Sequence, residues 1–203
     1  DPIETIYPPG TCFITQREVA RHTESYASAL KGSLREDPDV IVIGELHDLE
    51  TIEMAITASE TGHLVIGTLH TRDAASTLNR LLGVFPPSQQ SQIRAMVSES
   101  LRGIISQQFV PGIDGGQVMA AELLLNNTAV ANLIREGKTH HLGGVMQTGI
   151  KQGMRSMDHC ILQLYQMGKL SDETATANIK SRENVAKLNK LRQAREEREQ
   201  VVE

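Results

Sequence analysis

Tryptophan is absent from the 203 residues, and aromatic residues together make up only 3%. Whatever core this chain builds must therefore be aliphatic. Cysteine is almost as scarce: Cys12 and Cys160 stand alone and far apart. A small secreted scaffold would carry more, and a zinc ribbon needs paired Cys-x-x-Cys clusters. No apolar run approaches the roughly 20 residues of a membrane-spanning helix, and no signal-peptide pattern is present. Charge of one sign is lacking too. With 20 Lys+Arg against 25 Asp+Glu the net charge is −5, so nothing draws the chain toward nucleic acid or an anionic membrane, and no nucleic-acid partner is expected. Internal repeats and low-complexity linkers are missing. So is an initiating Met: the opening Asp1-Pro2-Ile3-Glu4 reads as a cut, and a cytosolic protein is expected.

What is present is an ordinary globular composition, 39% hydrophobic and 22% charged, in an α/β order. Residues 12–15 (CFIT) predict a short strand, and Thr23-Glu24 a helix start with Tyr26, Leu30 and Leu34 at helical spacing. Asp37-Pro38-Asp39 should stop that helix, because the residue before Pro avoids helical backbone. Residues 40–43 (VIVI) are β-branched and apolar on both faces, as in a central buried strand. Residues 49–61 predict a helix closed by Gly62, and 63–70 a second strand with His at either end. Asp73 can cap a helix bearing Leu78, Leu81 and Leu82. Ser88 can cap a longer one with Ile93, Met96, Val97, Leu101, Ile104 and Ile105 on one face. A hairpin around Asp114-Gly115-Gly116 follows. From Thr128 the chain reads as helical, with breaks at Gly137, Gly143-Gly144, Gly153 and Gly168. Residues 182–203, charge-rich with Val185, Leu188 and Leu191 as sparse apolar points, predict a solvated terminal helix.

The candidate chemistry gathers at strand ends. Glu45 follows the apolar strand 40–44, and ligands of open α/β sheets bind at the carboxyl rim. A carboxylate there can hold Mg²⁺ through water, although many strands simply end in a solvated Glu. His63 and His70 lie seven residues apart, so strand alternation puts them on opposite faces and leaves His70 the better match for the rim of Glu45. A His–Glu pair can also serve a metal, but zinc needs a third ligand and no residue at sensible spacing offers one. Asp1 and Glu4 sit on an extended acidic segment, where one carboxylate can orient water or merely be solvated. Arg17, Arg21 and Arg35 flank the first predicted helix; they can neutralise a phosphate across a subunit boundary or form surface ion pairs worth little.

Taken together, DPIE (1–4), REDPDVIVIGELHDLETI (35–52) and TGHLVIGTLHT (61–71) resemble the Asp box, Walker B and His box of the secretion ATPase superfamily, in the family's order. The resemblance runs over roughly residues 1–180 and points to the type IV pilus retraction ATPases within it. Those relatives carry AIRNLIRE, and this chain has AVANLIRE at 129–136 with Val130 for Ile and Ala131 for Arg. The four-cysteine zinc insertion of assembly and type II secretion motors is absent. His47 departs from the family's usual Arg in GE-x-R-D, which would weaken a ring-spanning role there or make it pH-sensitive.

The resemblance implies a partial RecA-type P-loop ATPase core, a central sheet flanked by helices, over 1–126. A helical C-terminal region over 127–180 and a charged helical tail over 181–203 would follow. It implies ATP and Mg²⁺ as cofactors and ATP hydrolysis that drives pilus retraction. The partners would be five further copies in a homohexamer, an inner-membrane platform protein and a paralogous retraction ATPase, at the cytoplasmic face of the bacterial inner membrane. Carried over by position, Glu4 would polarise the attacking water and Glu45 would face Mg²⁺. His70 would lie nearest the γ-phosphate with His63 as its His-box partner, Asp1 and Glu4 would line the nucleotide, and Arg17 and Arg35 would act in trans. No G-x-x-x-x-G-K-[S/T] occurs in the 203 residues, so the phosphate loop and the family's N-terminal domain are expected upstream and this stretch alone is expected to be inactive. A pilus assembly or type II secretion motor is the alternative within the superfamily, and a non-catalytic interaction module the alternative outside catalysis.

Overall fold

The computed structural model describes residues 2–8 and 10–202, with side chains as far as 194. Asp1 therefore lies outside the described residues. The chain divides into two compact units, one of Asp1–His70 with Arg80–Ser100 and one of Thr71–Asn79 with Leu101–Glu203.

The first unit opens on an arm that, among the described residues, has no helix or strand as far as residue 25. The strand predicted at 12–15 does not form: Phe13 is 97% exposed, and the arm is instead braced by Gln16. Its Nε2 donates to the Thr5 carbonyl at 2.8 Å, and its Oε1 accepts from Tyr7 N at 3.0 Å. The first helix, α1 (Tyr26–Ser33), starts later than expected because Ser25, not Thr23, caps it by accepting from Ser28 N. Then β1 (Val40–Ile43), α2 (Leu49–Glu60) and β2 (Leu64–Gly67) form a βαβ unit, with Val40 opposite Leu64 and Ile43 opposite Gly67 in parallel register. The second strand is shorter than predicted and leaves both histidines outside it.

After β2 the chain forms α3 (Ala74–Gly83) and then α4 (Pro87–Ser100). Ile41, Ile43, Leu46, Ile52, Ala55 and Ile56 are buried with Ile93 and Val97 of α4. Gly67 leaves room for the buried Leu46, since a Cβ at 67 would lie 2.5 Å from Leu46 Cδ1 and force that side chain to move. The expectation that β1 is buried on both faces fails. Val40 and Val42 are 50% and 70% exposed, because alternation turns them away from the buried Ile41 and Ile43 and no helix of this unit covers that side.

α4 ends at Ser100, so Leu101, Ile104 and Ile105 are not on a helix as predicted. Gly103 and the β-branched Ile104-Ile105 instead open β3 (Gly103–Pro111), which pairs antiparallel with β4 (Gln117–Leu125) over nine residue pairs. Gly115, at φ 81°, takes the left-handed position of the connecting turn. The helices α5 (Thr128–Arg135), α6 (Leu142–Thr148), α7 (Met157–Gln166), α8 (Asp172–Asn178) and α9 (Arg182–Val202) follow. Gly153 and Gly168 break helices with positive φ, whereas α6 runs straight through Gly143-Gly144.

One core joins Val110 and Ala120 of the hairpin to Cys160, Ile161, Leu162 and Tyr165 of α7, Ala175 of α8 and Leu188 of α9. The last helix is thus not the wholly solvated element expected: its sparse apolar points are its docking face, with Leu188 only 1% exposed. Among the described residues no helix is long and apolar enough to cross a membrane.

Candidate functional site

β1 and β2 run parallel, so both carboxyl ends open on one rim, and the loops leaving them are laced together. Leu46 N donates to the Thr68 carbonyl at 2.9 Å, and Thr68 Oγ1 donates to the Gly44 carbonyl. This lacing fixes the backbone on either side of Glu45. Its Oε1 lies 3.6 Å from His70 Nε2, with the two side chains 31% and 78% exposed. A carboxylate held at a sheet rim beside an exposed imidazole suits a hard cation kept largely in its water shell, and the imidazole can donate to an anionic oxygen. Among the described residues no group of three or more His, Cys, Asp or Glu is arranged to enclose a metal.

The other sequence-predicted residues lie apart from this pair. His63 precedes β2, at its amino end, where Nδ1 sits 3.0 Å from the Ala58 carbonyl and 3.1 Å from Thr61 Oγ1. The four residues of β2 put about 13 Å of strand between it and the rim. Glu4 is exposed in the arm and makes no hydrogen bond to Glu45 or His70 among the described residues. Arg17 is ion-paired with Glu36, and Arg21 meets Glu18 at 3.3 Å. Arg35 is exposed and forms no ion pair among the described residues.

Two neighbours of Glu45 escaped the sequence reading as parts of this site. The Tyr26 ring meets the His47 ring edge-on, centroids 5.8 Å apart at 77°. Burial, and then the negative charge of Glu45, push the Tyr26 phenol above its ordinary value. Tyr26 could be read only as a packing position on α1. Asp48, beside His47, caps α2: Oδ1 accepts from Thr51 N and Oδ2 from Thr51 Oγ1, each at 2.8 Å. Burial alone would raise the Asp48 carboxyl, but the two Thr51 bonds and the His47 charge outweigh it and hold it below its usual range. The signal for this cap was the run Asp48-Leu49-Glu50-Thr51 at a helix start.

The tripeptide Gly137-Lys138-Thr139 has the closing residues of a phosphate loop, but it follows the C-terminus of α5. Thr139 is buried and donates to Asn79 Oδ1 at 2.8 Å, and the Lys138 ammonium pairs with Glu136. Nothing there cradles a phosphate.

The chain belongs to the type II/IV secretion system protein family, whose model matches residues 1–202. It is 46% identical over 184 residues, 91% of its length, to the type IV pilus retractation ATPase PilT of Pseudomonas aeruginosa, of which it covers 54%. It is 46% identical over 187 residues to a twitching motility protein of Neisseria gonorrhoeae, covering 92% of this chain and 50% of that one. Among solved structures, the pilus retraction motor PilT with bound ADP superposes with a TM-score of 0.82 at 45% identity, over 90% of this chain and 52% of that one. The α/β fold is therefore that of the matched part of a PilT-type ATPase. The chain spans about half the length of the curated relatives it matches.

Proposed function

We propose that this chain supplies the metal- and γ-phosphate-facing edge of an ATPase motor that powers type IV pilus retraction. The observation that carries the reading is the Glu45–His70 pair on the rim of two parallel strands, in a chain 46% identical to a retraction ATPase. Glu45 holds the water shell of Mg²⁺, and His70, exposed enough to reach a ligand, donates to a terminal phosphate oxygen. Bound Mg²⁺ supplies charge neutralisation on the phosphates. Glu4, carried on the exposed arm, orients the attacking water once nucleotide is in place. His63 acts at a distance, by anchoring the amino end of β2 to α2.

Of the two trans candidates Arg35 is the freer, whereas Arg17 must first leave Glu36. The motor works as a homohexamer at the cytoplasmic face of the inner membrane, against a platform protein and alongside a paralogous retraction ATPase.

No G-x-x-x-x-G-K-[S/T] lies within these 203 residues, so the chain by itself should show no Glu45-dependent turnover. In the whole protein, Glu4→Gln should slow ATP hydrolysis by about two to four orders of magnitude. Glu45→Gln should raise the Mg²⁺ concentration needed for half-maximal rate. Steady-state ATPase assays across a Mg²⁺ series test both. A Glu4→Gln change below about threefold would remove that residue from the role of base, and an unmoved Mg²⁺ requirement would remove Glu45 from the metal.

A further inference from the structure

Between α6 and α7 the chain returns to the hairpin. Leu123 N donates to the Arg155 carbonyl at 2.7 Å, and Arg155 N donates to the Leu123 carbonyl at 2.9 Å. The Arg155 side chain follows the same strand, its Nε donating to the Ala121 carbonyl at 3.1 Å. Backbone and Nε are thus committed, but the two terminal nitrogens of the guanidinium are not. Among the described residues they form no ion pair and no hydrogen bond. A guanidinium pinned in this way has already given up much of its freedom, so a ligand that takes its remaining donors spends little entropy on ordering it.

Arg155 lines an open cavity of about 310 Å³ that lies wholly within the second unit. His159 and Gln163 line it too. Four residues apart on α7, they share one helix face, and both are half-buried. Apolar wall comes from Leu123 of β4, the 2%-exposed Met154 and Ile150. Among the described residues no acidic side chain lines the cavity. The carboxylates nearest along the chain are engaged elsewhere: Glu122 accepts from Ala74 N and Met157 N, and Asp158 from Lys180 N and Ser181 N. The Arg155 charge therefore meets no counter-charge inside the cavity.

These groups define the ligand. One permanent cation matches a monoanion, and its fork matches a flat head with two oxygens. A phosphate dianion would leave one charge without a partner. At about 30 Å³ per water the space equals roughly ten waters, enough for an acid of about six carbons. We propose that this cavity binds a small organic carboxylate. Its oxygens take the Arg155 fork and the donors of His159 and Gln163, and its aliphatic stem lies against Leu123, Ile150 and Met154. None of these residues belongs to the rim of Glu45.

Hexanoate is the probe. Titrated into the whole protein carrying ¹³C-labelled methyl groups, it should shift the Ile150 and Met154 resonances saturably, with a Kd of about 1 mM. Phosphate and the neutral hexanamide should each bind at least about tenfold more weakly. Arg155→Lys keeps the charge but loses the fork, and should weaken hexanoate by at least about tenfold. If Arg155→Lys does not fold, the His159→Leu/Gln163→Leu double variant leaves the bond to Ala121 in place and should show a loss of about the same size.

No saturable shift up to about 20 mM hexanoate overturns the site. Hexanamide binding as tightly as hexanoate, or variants binding it like the parent, overturns recognition of the anion by these residues. Tighter binding of phosphate overturns the choice of a carboxylate. Tighter binding of N-acetylnorleucine, whose carboxylate sits on a backbone, overturns the free acid in favour of the carboxyl end of a peptide chain.

Discussion

The parallel pair β1–β2 and the hairpin β3–β4 divide the work of this molecule. The first has four residue pairs, an open face at Val40, Val42, Leu64 and Ile66, and loops that carry Glu45 and His70. The second has nine pairs, a turn that fixes its register, and an inner face sealed by helices α7 to α9. Parallel strands need a long crossover, here α2, so their pairing is non-local, whereas a hairpin closes locally. The Glu45–His70 pair stands on the short, solvent-facing strands, and the aliphatic core lies under the long, covered ones.

The contrast predicts unequal responses to equal truncations. Ile161, 0% exposed at the centre of the α7 core, should cost about 2–5 kcal/mol when changed to Ala. Val42→Ala, on the open face, should shift stability by no more than about 0.5 kcal/mol. Urea unfolding of both variants measures this, and equal losses would erase the distinction.

Next in size is Asp158, whose carboxylate accepts from Lys180 N at 3.1 Å, Ser181 N at 2.8 Å and Asn184 Nδ2 at 3.3 Å. It fastens the start of α9 to α7. Asp158→Ala leaves those donors unpaired and should cost about 1–3 kcal/mol, with faster proteolysis inside residues 182–194 as the local sign. Undiminished protection there would mean that Leu188 alone holds the helix.

The smallest effect belongs to the β1–β2 unit. Asp48→Ala removes the α2 cap and should cost about 1 kcal/mol at pH 7. Because the folded state holds this carboxyl below its ordinary value, the contribution is complete above the unfolded pKa near 4 and is lost as pH falls through the folded one. The gap between variant and parent should therefore close below about pH 4. A gap that persists in acid would assign the loss to packing rather than to the charged cap.

Much of the fold was legible in the chain. The run VIVI at 40–43 appears as β1 with those bounds, the helix closed by Gly62 appears as α2, and Asp114-Gly115-Gly116 marks the hairpin turn. Where the reading failed, local pattern had competed with context. Ile104 and Ile105 continue a helical stripe as well as they open a strand, and Gly103 with cross-strand pairing decided for the strand. CFIT has strand composition but finds no partner among the described residues. The meeting of Glu45 and His70 was legible, because both follow the carboxyl ends of strands whose parallel order fixes direction. The Tyr26–His47 contact was not, since nothing in the chain says which helix face meets which loop.

By itself, then, the sequence determined an aliphatic α/β chain, the order of its elements, and the acid and the imidazole at the rim. These follow from composition, periodicity and the polarity of strands. Tertiary structure alone decided that Arg17 is held by Glu36, that His63 turns its Nδ1 to the Ala58 carbonyl, that α9 docks through Leu188, and that Glu122 faces two helix starts. Each of these joins residues distant along the chain or turns on which way a side chain points. Such choices are set by which buried groups must find partners, and a linear pattern does not contain that information.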